Sequence, residues 1–355
     1  MKVFHCDHCD HLVFFESVQC VRCERPLAYL PELGVTGSLD QEGDAWVSPL
    51  KRAEGRRYRL CRNYSEHQVC NWAVPAESED PYCLSCRLTR VIPNLAAPTA
   101  KAAWYKVETA KRRLIYSLLR LNLPIASKID DPKHGLAFEF LADPEDPNAP
   151  KVMTGHAEGV ITLNIAEADD PERERRKHEL HEPYRTLLGH FRHEVGHYYW
   201  DRLIRDSDRL ESFRKLFGDD RESYADALDR HYKNGPAPDW QSRFISAYAN
   251  MHPWEDWAET WAHYLHMTDT LETATTCGLS LRPKRAGEPI LKPDPKVIAP
   301  EPTAFEAMID SWYALTYVLN NLNRGLGLQD GYPFVLSPPV IEKLRFVHET
   351  IVAPV

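Results

Sequence analysis

The chain has 355 residues, of which 43% are hydrophobic and 27% charged, and its formal net charge at pH 7 is -9. This composition is typical of an ordinary soluble globular protein that is long enough for two or three domains. The negative charge argues against a nucleic-acid partner. The sequence contains no run of about 18 apolar residues, so no membrane-spanning helix is predicted. Because "MKVFHCDHCDHLVFF" has neither a basic start nor a long apolar stretch, we expect no signal peptide and a cytoplasmic location.

The first part of the chain is rich in cysteine. Eight of the nine cysteines precede residue 90, and only Cys277 lies elsewhere. Reducing compartments keep thiols free, so paired cysteines there indicate metal binding rather than disulfides. Two sets of four are predicted, each able to hold one zinc ion as thiolates. The sets are Cys6, Cys9, Cys20 and Cys23, followed by Cys61, Cys70, Cys83 and Cys86.

Residues 1–92 are therefore predicted to form a zinc-ribbon domain with two structural zinc ions, since a small polar domain needs such cross-links to fold. Replacement of a cysteine by one of four nearby histidines stays open, as does cross-paired ligation between the sets. Those histidines are His5, His8, His11 and His67. The basic segment "KRAEGRRYRLCR" is interpreted as a solvated face, with contact to a partner protein or nucleic acid as the alternative.

After a linker that follows residue 92, apolar spacing over residues 104–121 predicts an amphipathic helix that ends before Pro124. Alternating apolar residues around 136–140 and 161–165 predict two strands. Further helical patterns occupy "LLGHFRHEVGHYYWDRLI", "ESYADALDRHY", "EDWAETWAHYLHM" and "FEAMIDSWYALTYVLNNLNR". A proline-rich insertion at 281–303 separates the last two. One helix, a few strands and then mostly helices predict an α+β domain over residues 101–355.

The first of these helical patterns, "LLGHFRHEVGHYYWDRLI", contains an H-E-x-x-H motif at residues 193–197. His193 and His197 are four residues apart, so a helix places both rings on one face, where they can bind a common tetrahedral zinc. Glu194 can reach a water molecule bound to that zinc. Gly196 leaves room for another element to approach closely. The alternative is a histidine-rich helix without a metal, because the chain contains 16 histidines.

A hydrolytic zinc needs a third protein ligand. A third histidine six residues after the second is excluded, because Leu203 occupies that position. A glutamate from a later helix is the remaining common solution, and Glu222 and Glu255 are the candidates. We favour Glu255, because its segment is rich in tryptophan and two acids buried there need a metal or imidazole partner. Glu259, one turn further on, would then hydrogen-bond a ligand histidine.

The segments "RHEVGHYYWD" and "AYANMHPWEDWAETWAHYLHM" resemble the gluzincin group of zinc metallopeptidases. Over most of its length the chain is similar to a family of bacterial zinc-binding metallopeptidases with an N-terminal zinc ribbon. This similarity implies a zincin-like fold for the catalytic domain. The core is also similar to that of anthrax lethal factor, where a tyrosine precedes the ligand glutamate by seven residues and a second glutamate follows it by four. In this chain those positions hold Tyr248, Glu255 and Glu259.

The resemblance implies that the Tyr248 phenol donates a hydrogen bond to the developing oxyanion. Many gluzincins have an asparagine directly before the ligand glutamate and an aspartate beyond it. This chain has Trp254 and Glu259 instead, so Glu222 stays open as the alternative ligand.

The sequence thus predicts a zinc metallopeptidase that acts on peptides or proteins, with one catalytic and two structural zinc ions. Glu194 is the predicted general base. One alternative is a zinc-ribbon adaptor whose zincin domain only binds, and another is an amidase for isopeptide or side-chain amide bonds. The zinc-ribbon head is a candidate surface for recruiting a protein partner. The strand in "GVITLNIAEAD" either forms the cleft edge and pairs with the peptide or is an internal strand.

Overall fold

The computed structural model describes residues 1–144, 146, 148–170, 186–294 and 301–353. The strands are β1 Phe4–His5, β2 Leu12–Val13, β3 Leu27–Leu30, β4 Val35–Ser38, β5 Asp40–Glu42, β6 Ala45–Val47, β7 Arg57–Leu60, β8 Ala73–Pro75, β9 Thr89–Val91, β10 Ala137–Leu141, β11 Gly155–Ala157 and β12 Val160–Asn164. The helices are α1 Arg62–Ser65, α2 Ala100–Arg120, α3 Leu187–Leu203, α4 Leu210–Phe217, α5 Tyr224–Asn234, α6 Pro253–Thr276, α7 Phe305–Gly325 and α8 Pro338–Val352. Contacts divide the chain into two compact units, Met1–Arg173 and Glu174–Val355.

The cysteine-rich segment of the first unit is built from short antiparallel strands. Strands β1 and β2 form one hairpin and β3 and β4 a second, while β5 to β8 form a four-stranded sheet in sequence order. A small apolar core lies beneath them and contains Ala28, Leu30, Leu39, Tyr58 and Ala73. Because this core is small, the fold of the segment depends on its cysteine clusters as well.

Helix α2 confirms the helix predicted over residues 104–121. Its chain leaves the helix through Asn122, whose φ of 54° is left-handed, before Pro124 prevents continuation. On the buried face, the ring of Tyr116 lies 5.4 Å from that of Phe15 and 6.0 Å from that of Tyr29. The helix therefore packs on the cysteine-rich segment within the first unit. The domain boundary predicted between residues 92 and 101 stays a prediction.

A four-stranded sheet in the order β11-β12-β10-β9 completes the first unit, and it confirms both predicted strands. Strand β12 pairs with β10 in parallel and with β11 in antiparallel orientation. It is therefore an internal strand, and the hypothesis that it forms a cleft edge for a peptide is wrong. Alternation alone could not show this, because β11 is a three-residue strand that returns through a tight turn at Glu158 and Gly159.

The second unit contains helices α3 to α8, with α6 at their centre. Two buried ion pairs link α6 to neighbouring helices. Nη2 of Arg192 in α3 lies 2.6 Å from Oδ2 of Asp269, and Nζ of Lys343 in α8 lies 2.6 Å from Oδ2 of Asp256. The proline-rich insertion lies partly outside the described residues, since 295–300 are not among them. None of the described helices is long and apolar enough to span a bilayer. The predicted α+β class, with short strands in the cysteine-rich segment before a mostly helical part, is confirmed.

Candidate metal centres

Each of the two predicted cysteine sets forms one cluster in which the sulfur atoms lie within 4.8 Å of one another. A tetrahedral zinc with bonds of about 2.3 Å to sulfur separates its ligands by about 3.8 Å, whereas disulfide sulfurs are about 2.05 Å apart. Both clusters consist of cysteine alone, without cross-pairing, so they fit zinc. The Sγ–Sγ separations are 3.7 Å for Cys6 and Cys23, 3.6 Å for Cys9 and Cys20, and 3.8 Å for Cys70 and Cys83.

The second cysteine cluster is fully buried and has a positive charge beside it. Burial raises the pKa of the Cys83 thiol well above its ordinary value. The Arg112 guanidinium of α2 is almost fully buried near the thiols and donates to the carbonyl oxygen of Val69, which directly precedes Cys70. Four thiolates around one Zn²⁺ carry a net negative charge, which a buried arginine offsets.

A third cluster joins His193, His197 and Glu255, whose ligand atoms also lie within 4.8 Å of one another. The two Nε2 atoms are 3.2 Å apart. Nε2 of His193 lies 2.9 Å from Oε2 of Glu255, and Nε2 of His197 lies 3.4 Å from Oε1. A tetrahedral zinc with bonds of about 2.1 Å separates nitrogen and oxygen ligands by about 3.4 Å. The three side chains therefore fit a single zinc ion.

Close packing of α3 on α6 brings these side chains together. The Thr186 hydroxyl caps the start of α3 by accepting from the Gly189 amide at 2.9 Å. One turn after His193, a Cβ atom on Gly196 would lie only 3.0 Å from Cα of Ala258. Glycine thus lets the backbones approach closely, as predicted. Glu255 lies one turn before Ala258 and so faces the two histidines across the contact.

A second layer of hydrogen bonds holds His193. Its Nδ1 lies 2.7 Å from Oε1 of Glu259, whose other oxygen accepts from the Ser246 hydroxyl at 2.6 Å. Burial by itself lowers the pKa of His193, but the Glu255 and Glu259 carboxylates raise it well above its ordinary value. Oε2 of Glu255 accepts no hydrogen bond from the described residues. The pocket therefore favours a positive charge between His193 and Glu255, either a proton or a metal ion.

The other predicted site residues lie at different distances from this cluster. Glu194 is buried, and burial raises the pKa of its carboxyl group. The Tyr248 ring centroid lies 6.0 Å from that of His193. Tyr248 belongs to a short 3-10 turn, Tyr248–Asn250, that precedes α6. Glu222 is not brought to the cluster, because its side chain is 54% exposed and lies 3.9 Å from Arg230.

Two aromatic contacts of the cluster were not predicted. The Tyr224 hydroxyl donates to Oε1 of Glu255 at 3.0 Å. The Trp254 ring centroid lies 4.2 Å from that of His197, so the residue that departs from the expected asparagine packs against this histidine. The polar composition of "GDDRESYADALDRHYKNG" is typical of a solvated helix, and no periodic signal singles out its tyrosine. The contact depends on tertiary packing between α5 and α6.

Three arginines of the basic segment have partners within the cysteine-rich segment. Arg57 lies 3.5 Å from Asp44, Arg59 donates to the carbonyl oxygen of Ser78, and Arg62 lies 3.0 Å from Glu66. These partners lower the charge available to an external ligand. Contact of this segment with a protein or nucleic acid stays a hypothesis.

Comparison with known proteins agrees with these clusters. The profile of the family described as "Putative zinc-binding metallo-peptidase" matches residues 100–350, and that of a zinc-ribbon domain matches residues 3–97. Uncharacterised proteins of Mycobacterium bovis and of two Mycobacterium tuberculosis strains are each 45% identical over 357 residues, which covers 100% of this chain and 97% of each relative. No solved structure matches the chain significantly. Since the first profile covers more than half of its length, the chain belongs to this family of zinc-binding metallo-peptidases and carries a zinc ribbon in front of the peptidase region.

Proposed function

We propose that the chain is a gluzincin-type peptidase that hydrolyses peptide bonds in peptides or proteins. The observation that carries this proposal is the convergence of His193, His197 and Glu255 within 4.8 Å, next to the buried Glu194. Two neutral imidazoles and one carboxylate are a common ligand set of hydrolytic zinc sites. A zinc ion bound there supplies a Lewis acid that polarises a carbonyl group and lowers the pKa of water toward neutrality.

Glu194 is the proposed general base. Its carboxylate takes a proton from the attacking water and later gives that proton to the leaving amine. Burial raises the pKa of Glu194, while the adjacent His193 and His197 lower it. A raised pKa suits this role, because the group must hold the proton between the two transfers.

Tyr248 is the proposed donor to the oxyanion. Burial, and then the nearby Glu255 carboxylate, raise the pKa of its phenol far above the ordinary value. The phenol therefore keeps its proton at neutral pH and can donate it in a hydrogen bond to the charge that develops on the carbonyl oxygen.

Two further statements belong to the same proposal. A cytoplasmic location fits two clusters of reduced cysteines, because oxidising compartments favour disulfides.

The buried Glu194 argues against an adaptor that only binds, since burial of a carboxylate without a catalytic role costs free energy. An amidase for isopeptide bonds would use the same residues, and cleavage products distinguish the two substrates.

Replacement of Glu194 by glutamine tests the proposal. Glu194→Gln keeps the side-chain shape but removes the base, so we expect hydrolysis to fall by about 10²- to 10⁴-fold. The zinc content should stay at the wild-type value. Rates on a mixture of peptides are measured by mass spectrometry, together with metal content by elemental analysis. Glu211→Gln is the control, because this glutamate of α4 is 75% exposed. Unchanged turnover in Glu194→Gln would refute the assignment.

A further inference from the structure

We propose that Tyr224 is a positioning residue of the catalytic centre, which orients the ligand Glu255 through its hydroxyl group. This inference rests on the proposed function and extends it to a residue of α5. It assigns a task to the part of the chain that composition indicated to be a solvated helix.

The hydroxyl of Tyr224 contacts the ligand carboxylate directly. It donates to Oε1 of Glu255 at 3.0 Å. A tyrosine hydroxyl has a single proton, so this bond commits the Tyr224 donor to Glu255.

Contacts between the starts of α5 and α6 fix Tyr224 in this place. Nδ1 of His252 accepts from the Trp254 amide at 3.0 Å, so its Nε2 carries the proton and donates to the carbonyl oxygen of Glu222 at 3.2 Å. The Tyr224 ring lies against that of His252, with centroids 5.4 Å apart. One imidazole therefore caps α6 and anchors the residues that lead into α5. Tyr224 is 36% exposed, but these contacts and its bond to Glu255 hold its hydroxyl at the carboxylate.

The arrangement has two consequences for the site. With Oε1 of Glu255 occupied by Tyr224, the carboxylate cannot rotate freely, and Oε2 keeps its place next to His193. Second-layer hydrogen bonds of this kind contribute about 10- to 100-fold to metal affinity. A carboxylate held in this way also fixes the position of one ligand charge at the metal site, on which turnover depends. Tyr224 thus acts on both binding of the metal and its catalytic environment without contacting the reacting atoms.

The test is Tyr224→Phe in the full-length, zinc-loaded protein, with Tyr232→Phe as the matched control. Tyr232 lies on the same helix and is 64% exposed. The first measurement is the affinity of the third cluster for zinc, from competition with a chelator. The ion of this cluster is identified as the one that His197→Ala fails to bind. We expect Tyr224→Phe to weaken this affinity by about 10- to 100-fold and Tyr232→Phe to leave it unchanged. The second measurement separates kcat from KM at saturating zinc, and we expect the loss in kcat.

These readouts separate this inference from the proposed function. Wild-type zinc affinity and wild-type kcat in Tyr224→Phe would overturn the role of Tyr224 and leave the peptidase assignment intact. Weakened zinc binding in a protein that cleaves no peptide would support the positioning of Glu255 and overturn the peptidase assignment instead. Circular dichroism and thermal unfolding of both variants show whether a loss of affinity reflects a loss of fold.

Discussion

The His193 ring shows how hydrogen bonds prepare a single residue for metal binding. Its Nδ1 lies 2.7 Å from a Glu259 oxygen, so the neutral ring carries its proton there. Nε2 then presents a lone pair to Oε2 of Glu255 at 2.9 Å and to Nε2 of His197 at 3.2 Å. Electron-rich atoms at these distances repel one another unless a cation lies between them. The second layer of residues thus makes the pocket dependent on a cation.

Tyr248→Phe tests the proposed oxyanion donor at the same scale. The change removes the phenol oxygen and keeps the ring that lies beside His193. Loss of one preorganised donor lowers kcat by about 10²- to 10³-fold, and we expect this loss with unchanged zinc content. Steady-state kinetics with metal analysis provide the measurement, and Tyr313→Phe, at an exposed position of α7, is the control. A variant with full kcat would leave the oxyanion without this donor.

Members of a candidate metal cluster can be predicted from sequence when their chemistry restricts residue type and spacing. His193, His197 and the cysteine pairs are examples, because helix and turn geometry relate their spacing directly to a common metal. Glu255 required an argument about buried charge, and Tyr248 required a resemblance. Tyr224 could not be predicted, because its contact with Glu255 crosses between two helices and leaves no local pattern.

At the scale of secondary structure elements, the site depends on how closely α3 approaches α6. Gly196 lies at the contact, where its carbonyl oxygen accepts from Nε1 of Trp257 at 2.9 Å. The Tyr199 and Trp261 rings stack beside it with centroids 5.0 Å apart. Aromatic side chains fill the space around a contact where one residue has no side chain. This combination places Glu255 within reach of both histidines.

Gly196→Ala tests this packing. Alanine normally stabilises a helix interior by about 1 kcal/mol relative to glycine. Here the new Cβ would lie 3.0 Å from Cα of Ala258, a backbone atom that moves only if the helices separate. We expect a net destabilisation of about 1–3 kcal/mol, with weaker zinc binding by the third cluster. Denaturant unfolding measures the first effect. Gly325→Ala is the control, because a Cβ there meets no atom within 4 Å, and stabilisation of Gly196→Ala would contradict the close approach.

The longer helices and strands could be predicted from the sequence, whereas the short strands could not. Helix α2 and strands β10 and β12 have enough residues to show a periodic pattern. The strands of the cysteine-rich segment have two to four residues each, which is too few for alternation to stand out from turns. The position of β12 inside its sheet could not be predicted either, because strand order depends on tertiary pairing.

At the scale of the whole molecule, metal chemistry differs between the two compact units. The first unit contains both cysteine clusters, and the second contains the cluster of two histidines and a glutamate. Four thiolates leave a zinc ion no open position, whereas three ligands leave one for water. This difference fits the proposal of structural zinc in the first unit and of a catalytic ion in the second.

Metal content provides the last prediction, because each cluster should hold one ion and the wild-type chain should therefore bind three zinc ions. A mild chelator at neutral pH should first remove the ion with the open position and abolish hydrolysis, while the thiolate-bound ions stay and the fold is retained. Glu255→Ala should bind two zinc ions, and Glu222→Ala, which alters an exposed carboxylate, should bind three. Elemental analysis of the three proteins after gel filtration decides the assignment. Two ions in Glu222→Ala and three in Glu255→Ala would transfer the ligand role to Glu222.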